Sequence, residues 1–402
     1  MNEHLKPAPV STVKFFTPGV LLLLAVIAVG LAFAAYRFLF GIGAISNLDD
    51  RYPWGIWIGI DVATGVALAA GGFTTSALVH IFHREQFHAV VRPALLTAML
   101  GYTFVGIGLI VDLGKYYYIW HPLFMWQGNS VLFEVGMCVM AYLTVLYIEF
   151  LPIIVERFKD GVKFPSILGL LDGLATKFLS ISDAVLGKIM FIFIILGVVL
   201  SCMHQSSLGA LMLIAPTKMH PLWFTPILPL LFLFSAIAVG YPMVIFESLI
   251  ASNSLKLKPE MEVISPLSKF IPFLLGIYMF MKISDMAIRE TYVYLLDGSI
   301  QSSLFIVEML FGLVLPFTML LFEKARSSPK LLFTSVTLII LGVALNRVNV
   351  FLVAYAPPYA EKTYFPTIGE IAVTAALIST LLLIYRFVVQ NFPVIVAHPK
   401  KE

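Results

Sequence analysis

The chain has 402 residues, of which 60% are apolar and only 12% charged, with a formal net charge of +3. A soluble domain carries about twice that share of charged residues, so the composition excludes a soluble enzyme and implies a polytopic membrane protein. The two cysteines, Cys138 and Cys202, lie in apolar runs and form no C-x-x-C, which excludes an iron–sulfur cluster or structural zinc site built by this chain alone.

Residues 1–16 form a short polar tail. The first apolar run, from Val20 to Phe40, is too long for the apolar core of a signal peptide and has no small-residue cleavage site, so no cleavable signal is expected. The hydropathy pattern predicts an all-α integral membrane protein of about ten transmembrane helices. They fall at 17–40, 55–82, 90–114, 129–155, 184–204, 222–250, 266–289, 299–323, 330–355 and 367–390. No G-x-x-x-x-G-K-[ST] loop interrupts them, which argues against an ATPase.

Basic residues alternate with this count. One set of loops holds Lys6, Lys14, Arg84, Arg92, Arg157, Lys159, Lys163, Lys177, Lys256, Lys258, Lys324, Arg326, Lys330, Lys400 and Lys401. The opposite set holds Arg51, Lys115, Lys218 and Lys362, with Arg289 at its edge. The positive-inside rule therefore puts both termini in the cytoplasm. The outward loop from Tyr116 to Trp126 is rich in aromatics, as an interfacial belt or an outer docking surface would be. The inward loop at about 158–183 contains LGLLDGLATKFLSI, which reads as a short amphipathic helix on the membrane surface.

The fourth span carries two carboxylates, Glu134 and Glu149. Fifteen residues separate them, roughly 22 Å along a helix and about 60° around it, so both can face one bundle interior at opposite membrane depths. A charge at such depth is costly and is retained for a task. The spacing recurs at Glu308 and Glu323. This suggests two four-helix bundles, at 55–204 and 205–355, flanked by a first helix with its outer loop (17–54) and a last helix with a tail (356–402).

With that orientation Asp61, Asp112, Glu134 and His204 fall in the outer half of the first bundle, near Asn129, Gln205 and Ser206. Tyr102 falls at mid-depth, and Arg92, Glu149 and Glu247 toward the inner side. Pro242 stands ready to break the sixth span just before Glu247. Lys282, Asp285, Arg289, Glu308, Asn346, Arg347 and Asn349 form a second set. Asp285 and Arg289 read as an i,i+4 pair, with Arg347 free to meet Glu308 or Asp285. Asp112 and Lys115 read as a local pair at a helix end. The histidines offer no facing pair at one depth, so no intrinsic haem and no metal site are expected.

Several runs are familiar as sequence. They are Tyr52-Pro53-Trp54-Gly55-Ile56-Trp57, Val91-Arg92-Pro93-Ala94-Leu95-Leu96, Gly101-Tyr102 and Asn129-Ser130-Val131-Leu132-Phe133-Glu134. Met203-His204-Gln205-Ser206-Ser207, His220-Pro221-Leu222-Trp223 and Val244-Ile245-Phe246-Glu247 follow, with a weaker match at Tyr364-Phe365-Pro366. Together they resemble the NrfD-like, or polysulfide reductase membrane-subunit, family, which includes membrane subunits of hydrogenases (hydrogenase-2 among them) and of menaquinone reductase complexes. The resemblance implies a cofactor-free subunit of a bacterial inner-membrane respiratory complex that exchanges electrons with menaquinone or another quinone. It further implies a periplasmic iron–sulfur, ferredoxin-like partner, with a hydrogenase, a molybdopterin-type protein or a multihaem cytochrome c beyond it. A nucleic-acid partner is not expected.

Quinone reduction consumes two electrons and two protons. His204 suits a quinone carbonyl, because an imidazole gives and takes protons near neutral pH. Glu134 suits proton transfer. The expected site therefore has Glu134 and His204 as catalytic groups. Gln205, Asp61, Asp112, Asn129 and Tyr102 join His204 around the quinone, and Glu134, Glu149, Arg92 and Glu247 line a proton path. A secondary transporter is the rival reading, since repeats and buried carboxylates suit that class too; a passive membrane anchor is another. Co-purifying redox partners would separate the first from the second, and tolerance of substitutions at the buried Glu and His would reveal the third.

Overall fold

The computed structural model describes residues 7–10, 12–159 and 172–396. Ten helices in it are long and apolar enough to cross a membrane. They are α1 (Pro18–Phe40), α2 (Trp57–Ile81), α3 (Glu85–Asp112), α4 (Val131–Arg157), α5 (Leu186–Ile214), α6 (Leu228–Ser254), α7 (Met261–Ile288), α8 (Ile300–Leu321), α9 (Pro329–Val353) and α10 (Ile368–Asn391). Among the described residues there is no strand, only an isolated bridge between Met219 and Tyr355.

Helix starts follow from the local sequence. Thr17 caps α1 ahead of Pro18, Ser130 caps α4 through the Phe133 amide, and Ser299 caps α8 through the Ser302 amide. Thr367 and Glu370 close a reciprocal capping box on α10, satisfying two amides that a membrane interior could not.

The helices are buried very unequally. In the most apolar stretch of α2, 83% of residues are buried, against 11% in α1. Helix α2 packs on α3, α5, α6 and α9, and so runs through the centre. Its glycines make this possible: a Cβ on Gly72 would come within 2.5 Å of the Ala98 Cβ on α3. Helix α3 also packs on α4, and α4 on α5; beyond α2, α6 packs on α7 and α9, and α8 on α7 and α9. Helix α1 rests on α10, where Gly30 meets Ala372 and Ala376 so closely that a Cβ would lie 2.2 Å from the Ala376 Cβ.

Both terminal segments lie at one end, here the termini end. The Ala8 amide donates to Ile395 O at 3.1 Å and the Val10 amide to Val389 O at 3.1 Å. The Thr12 hydroxyl donates to Leu255 O at 2.6 Å.

Three expectations change. The fifth span does not stop at 204: the helix continues to Ala210. The polar run Ser201-to-Ser207 lowers hydropathy without ending the helix, because Ser201, His204, Gln205 and Ser207 all face inward. The surface helix expected within 158–183 is, from Asp172 onward, the start of that same 39-residue helix; residues 160–171 lie outside the described chain. Pro242 does not break α6, which runs unbroken from Leu228 to Ser254.

Candidate functional site

A fully buried histidine with a free nitrogen lies at mid-length of α5. His204 on α5 is fully buried. Its Nδ1 lies 3.1 Å from the Tyr102 hydroxyl on α3, while its Nε2 is buried with no partner. Tyr142 of α4 packs edge-on against Tyr102 with ring centres 4.5 Å apart, and the buried Ser201 hydroxyl lies beside both tyrosines. These side chains share one depth. Counted from the far ends Ile214, Asp112 and Val131, His204, Tyr102 and Tyr142 lie ten, ten and eleven residues in, about 15–17 Å along each helix. An unsatisfied buried polar atom costs about 1–3 kcal/mol, so His204 Nε2 marks a place that a polar ligand atom would complete.

Gln205 is committed elsewhere. Helix α2 is interrupted at Ala69 (φ −67°, ψ −8°), and just before that break Val66 O accepts from Gln205 Nε2 at 2.7 Å. The residue thus clamps α5 to α2.

Asp61 and Asp112 do not reach His204. They belong to a separate cluster at the far end, between α1, α2, α3 and α10. The Thr374 hydroxyl donates to Asp61 Oδ2 at 2.7 Å. Asp112 sits within electrostatic reach of Arg37, Glu370 and Asp61, and its Oδ1 is buried without a partner. Arg37 is 1% exposed and donates to Val111 O at 2.8 Å and also to Leu113 O. The cation beside Asp112 is thus Arg37 rather than Lys115. Glu370 accepts from the Tyr364 hydroxyl and from the Thr367 amide at 2.9 Å. Arg37, Glu370 and Thr374 went unrecognised in the sequence. An arginine inside an apolar run and the Thr-x-x-Glu spacing were the signals that could have found the first two.

Glu134 also stands apart. It lies exposed in the first turn of α4, where a carboxylate suits the helix N-terminus. The α4 residue that reaches the His204 pair is Tyr142, eight residues and about 12 Å further along. Asn129 is exposed in the loop before α4. Glu149 does not share a face with a buried Glu134 as expected; it is half-buried against α5, where a Cβ on Gly197 would come within 2.7 Å of its Oε1. Arg92 is tied into an ion pair with Glu156 at 2.7 Å and donates to Pro393 O at 2.8 Å, which fastens α3 to α4 and the C-terminal segment. Glu247 is different again: its carboxylate is buried between Thr97 of α3 and Tyr385 of α10.

A second network surrounds Glu308, whose own oxygens are fully bonded although Asn349 Oδ1 and Arg347 Nε are buried without a partner. Glu308 on α8, 2% exposed, is paired with Lys282 of α7. It also accepts from Trp223 Nε1 at 3.0 Å, Asn346 Nδ2 at 2.8 Å and Asn349 Nδ2 at 2.8 Å. Arg347 pairs with neither Glu308 nor Asp285. It donates to Asn346 Oδ1 at 2.7 Å and Ser235 Oγ at 2.8 Å, and lies over the Phe232 ring at 3.7 Å. Asp285 does pair with Arg289, at 2.9 Å. The recurrence of two glutamates therefore joins unlike sites, since Glu308 is buried, Glu134 exposed, and Glu323 exposed beyond the end of α8.

A b-type haem needs axial ligands within the bilayer. Among the described residues His80, His83 and His88 lie at the termini end, His121 and His220 in far-end segments, and His204 alone inside. No group of three or more His, Cys, Asp or Glu among them could hold a metal ion. The donor set does not fit a bilayer haem.

The polysulphide reductase, NrfD, family model matches residues 44–357. This chain belongs to the NrfD family. The match covers α2 to α9 and leaves α1 and α10 outside it. Among NrfD-like relatives, the probable Ni/Fe-hydrogenase 2 b-type cytochrome subunit of Escherichia coli K12 is 32% identical over 389 residues, covering 95% of this chain and 93% of that protein. The integral membrane subunit of menaquinone reductase from Nitratidesulfovibrio vulgaris is 24% identical over 391 residues, covering 90% and 88%. A selenate reductase subunit from Mesobacillus selenatarsenatis is 23% identical over 385 residues, covering 87% and 88%. The chain is a multi-pass membrane protein of a family that supplies membrane subunits to oxidoreductase complexes.

Proposed function

We propose that this NrfD-family chain is the quinone-interacting membrane subunit of a respiratory redox complex. It passes electrons between an iron–sulfur partner of ferredoxin type at the far end and menaquinone, or another quinone, in the bilayer. The observation that carries this reading is the orphaned Nε2 of His204, held about 15 Å along α5 from its far end with its other nitrogen on Tyr102. A quinone's two carbonyls are its strong acceptors, and an imidazole N–H facing one of them supplies the missing bond. Tyr102 fixes the ring so that Nε2 points at the ligand, and can return a proton to Nδ1 when Nε2 gives one up. The name of the menaquinone reductase relative supports the substrate class.

The chain offers no route for electrons of its own, so they arrive through partner proteins: a hydrogenase, a molybdopterin-type protein or a multihaem cytochrome c behind the iron–sulfur subunit. Glu134, exposed at the far end of α4, belongs to the rim where quinone and partner approach. The termini end faces the bacterial cytoplasm, as its basic residues require. The subunit itself carries no haem, so the isolated chain is expected to show no Soret band.

The test is His204→Gln in the assembled complex. Quinone-linked turnover is expected to fall at least about 100-fold, the usual span for a lost acid–base group. The soluble partner should keep its activity with an artificial dye. Wild-type quinone turnover in that variant would remove His204 from the reaction.

A further inference from the structure

A quinone ring held at His204 leaves its prenyl chain inside the bundle unless a seam between helices lets the chain out, because such a chain is stable only against lipid or apolar side chains. Three of the four seams around His204 are closed. A Cβ on Gly101 of α3 would lie 3.2 Å from the Ala69 Cβ of α2, and one on Gly72 of α2 only 2.5 Å from the Ala98 Cβ. The bond from Gln205 to Val66 O shuts α5 on α2. A Cβ on Gly197 of α5 would lie 3.4 Å from the Val145 side chain of α4. The far part of the α3–α4 seam differs. No residue of α4 from Val131 to Met137 is buried, and the first buried one is Cys138. A Cβ on Gly106 of α3 would meet no neighbouring heavy atom within 4 Å, and Ile107 beside it is exposed. Gly106 and Met137 each lie six residues from the far ends of their helices, about 9 Å.

The inner end of this opening is polar. The Thr103 hydroxyl, next to Tyr102 on α3, donates to Met99 O at 2.7 Å, so the Tyr147 hydroxyl of α4 donates to Thr103 Oγ1 at 2.8 Å. Tyr147 is 48% exposed although it lies ten residues, about 15 Å, from the termini end of α4. A lipid-facing tyrosine ordinarily sits at the headgroup level. We propose that the far part of the α3–α4 seam is a lateral portal through which the quinone's prenyl chain passes from His204 into the bilayer, with Gly106 as its open wall and the Thr103–Tyr147 pair as its floor. The portal rests on the quinone reading and adds where the tail lies. Glycine at 106 keeps room for the methyl branches of an isoprenoid. The occupant is this chain rather than a phospholipid acyl chain, because the floor adjoins Tyr102, whose ring packs on both Tyr142 and His204.

Two arms test it on the intact complex. In the first, Gly106→Trp fills the opening, and Gly187→Trp on α5, equally free of neighbours but outside the seam, is its control. Turnover is measured with a naphthoquinone bearing a prenyl chain and with 2-methylnaphthoquinone, which bears none. In Gly106→Trp the KM for the prenylated quinone is expected to rise at least about fivefold, the lower bound for overfilling a packed space. The tailless quinone, and both quinones in Gly187→Trp, should stay near the parent values. An unchanged KM for the prenylated quinone, or an equal rise for both quinones, would overturn the portal. In the second arm, a prenylated naphthoquinone with a diazirine on its first isoprene unit is photolysed in the parent complex, and tagged peptides are read by mass spectrometry. Tags within residues 103–110 and 131–140 that excess unlabelled prenylated quinone removes are expected. Quinone-competed tags confined to other helices would overturn the portal, as would tags in the seam that only excess phospholipid removes, which would make it a lipid groove. If quinone competes no tag anywhere and the parent turns over neither quinone, the quinone reading itself fails and the portal falls with it.

Discussion

Two buried polar clusters, one around His204 on α5 and one around Glu308 on α8, are bonded in opposite ways at their centres. In the first, His204 keeps a free nitrogen beside Tyr102. In the second, each carboxylate oxygen of Glu308 is held by two donors, from Lys282, Trp223, Asn346 and Asn349. A buried ion pair repays its desolvation only when its remaining lone pairs and protons are satisfied. Glu308 meets that condition and has nothing left for a ligand. The difference teaches that depth and charge do not identify a site in a membrane protein; an unfilled bonding position does.

The sharpest way to break this comparison is at Glu308. Glu308→Ala leaves Lys282 buried and unpaired, a loss of about 3–5 kcal/mol. The chain is expected to fail to accumulate in the membrane, as read by immunoblot and by the thermal stability of the purified complex. Lys282→Met combined with Glu308→Gln should recover much of that loss, since no charge is then left alone. A stable Glu308→Ala complex that had lost only quinone turnover would reverse the roles of the two halves.

The first half should respond in the opposite manner, with function lost and stability kept. Tyr102→Phe removes one hydrogen bond to His204, worth about 0.5–1.5 kcal/mol. Quinone-linked turnover is expected to drop by about threefold to tenfold while the melting temperature stays near that of the parent. An unchanged rate would show that His204 does not need Tyr102 to hold its ring.

The smallest effect is expected at Glu134. As an exposed carboxylate in a first helical turn it contributes about 0.3–1 kcal/mol through the helix dipole. Glu134→Gln should therefore change quinone turnover by less than about threefold. Complete loss of turnover would return Glu134 to the centre of the reaction and make the exposed rim part of the proton route.

Much of the architecture is legible in the amino-acid order alone. Apolar runs mark all ten helices, because in lipid length and hydropathy dictate a span. His204 and Tyr102 both stand out there as buried polar residues. What stays concealed is rotation and pairing. Asp61 and His204 read as neighbours by depth, yet Asp61 turns toward Thr374 on α10 while His204 turns toward α3. Sequence position gives depth to within a turn or so, but the face of a helix depends on which neighbour it meets. Glu134 and Glu149 fail for a related reason: their 60° separation permits a common face without requiring one. The span-5 boundary is misplaced because inward-facing polar residues lower hydropathy as a loop does.

The pairing of α1 with α10 has a consequence for how the protein is made. Helix α1 is among the first segments to reach the membrane, and its most apolar stretch is only 11% buried in the finished fold. Its main partner, with Ala372 and Ala376 shaped to receive Gly30, is synthesised more than 300 residues later. Until then α1 is without its main partner. The clasp of Ala8 on Ile395 and Val10 on Val389 closes only after that. This latch therefore forms only once α10 and the segment after it have been made, so the packing of α1 and the clasp of the N-terminal segment both belong to the last stage of assembly.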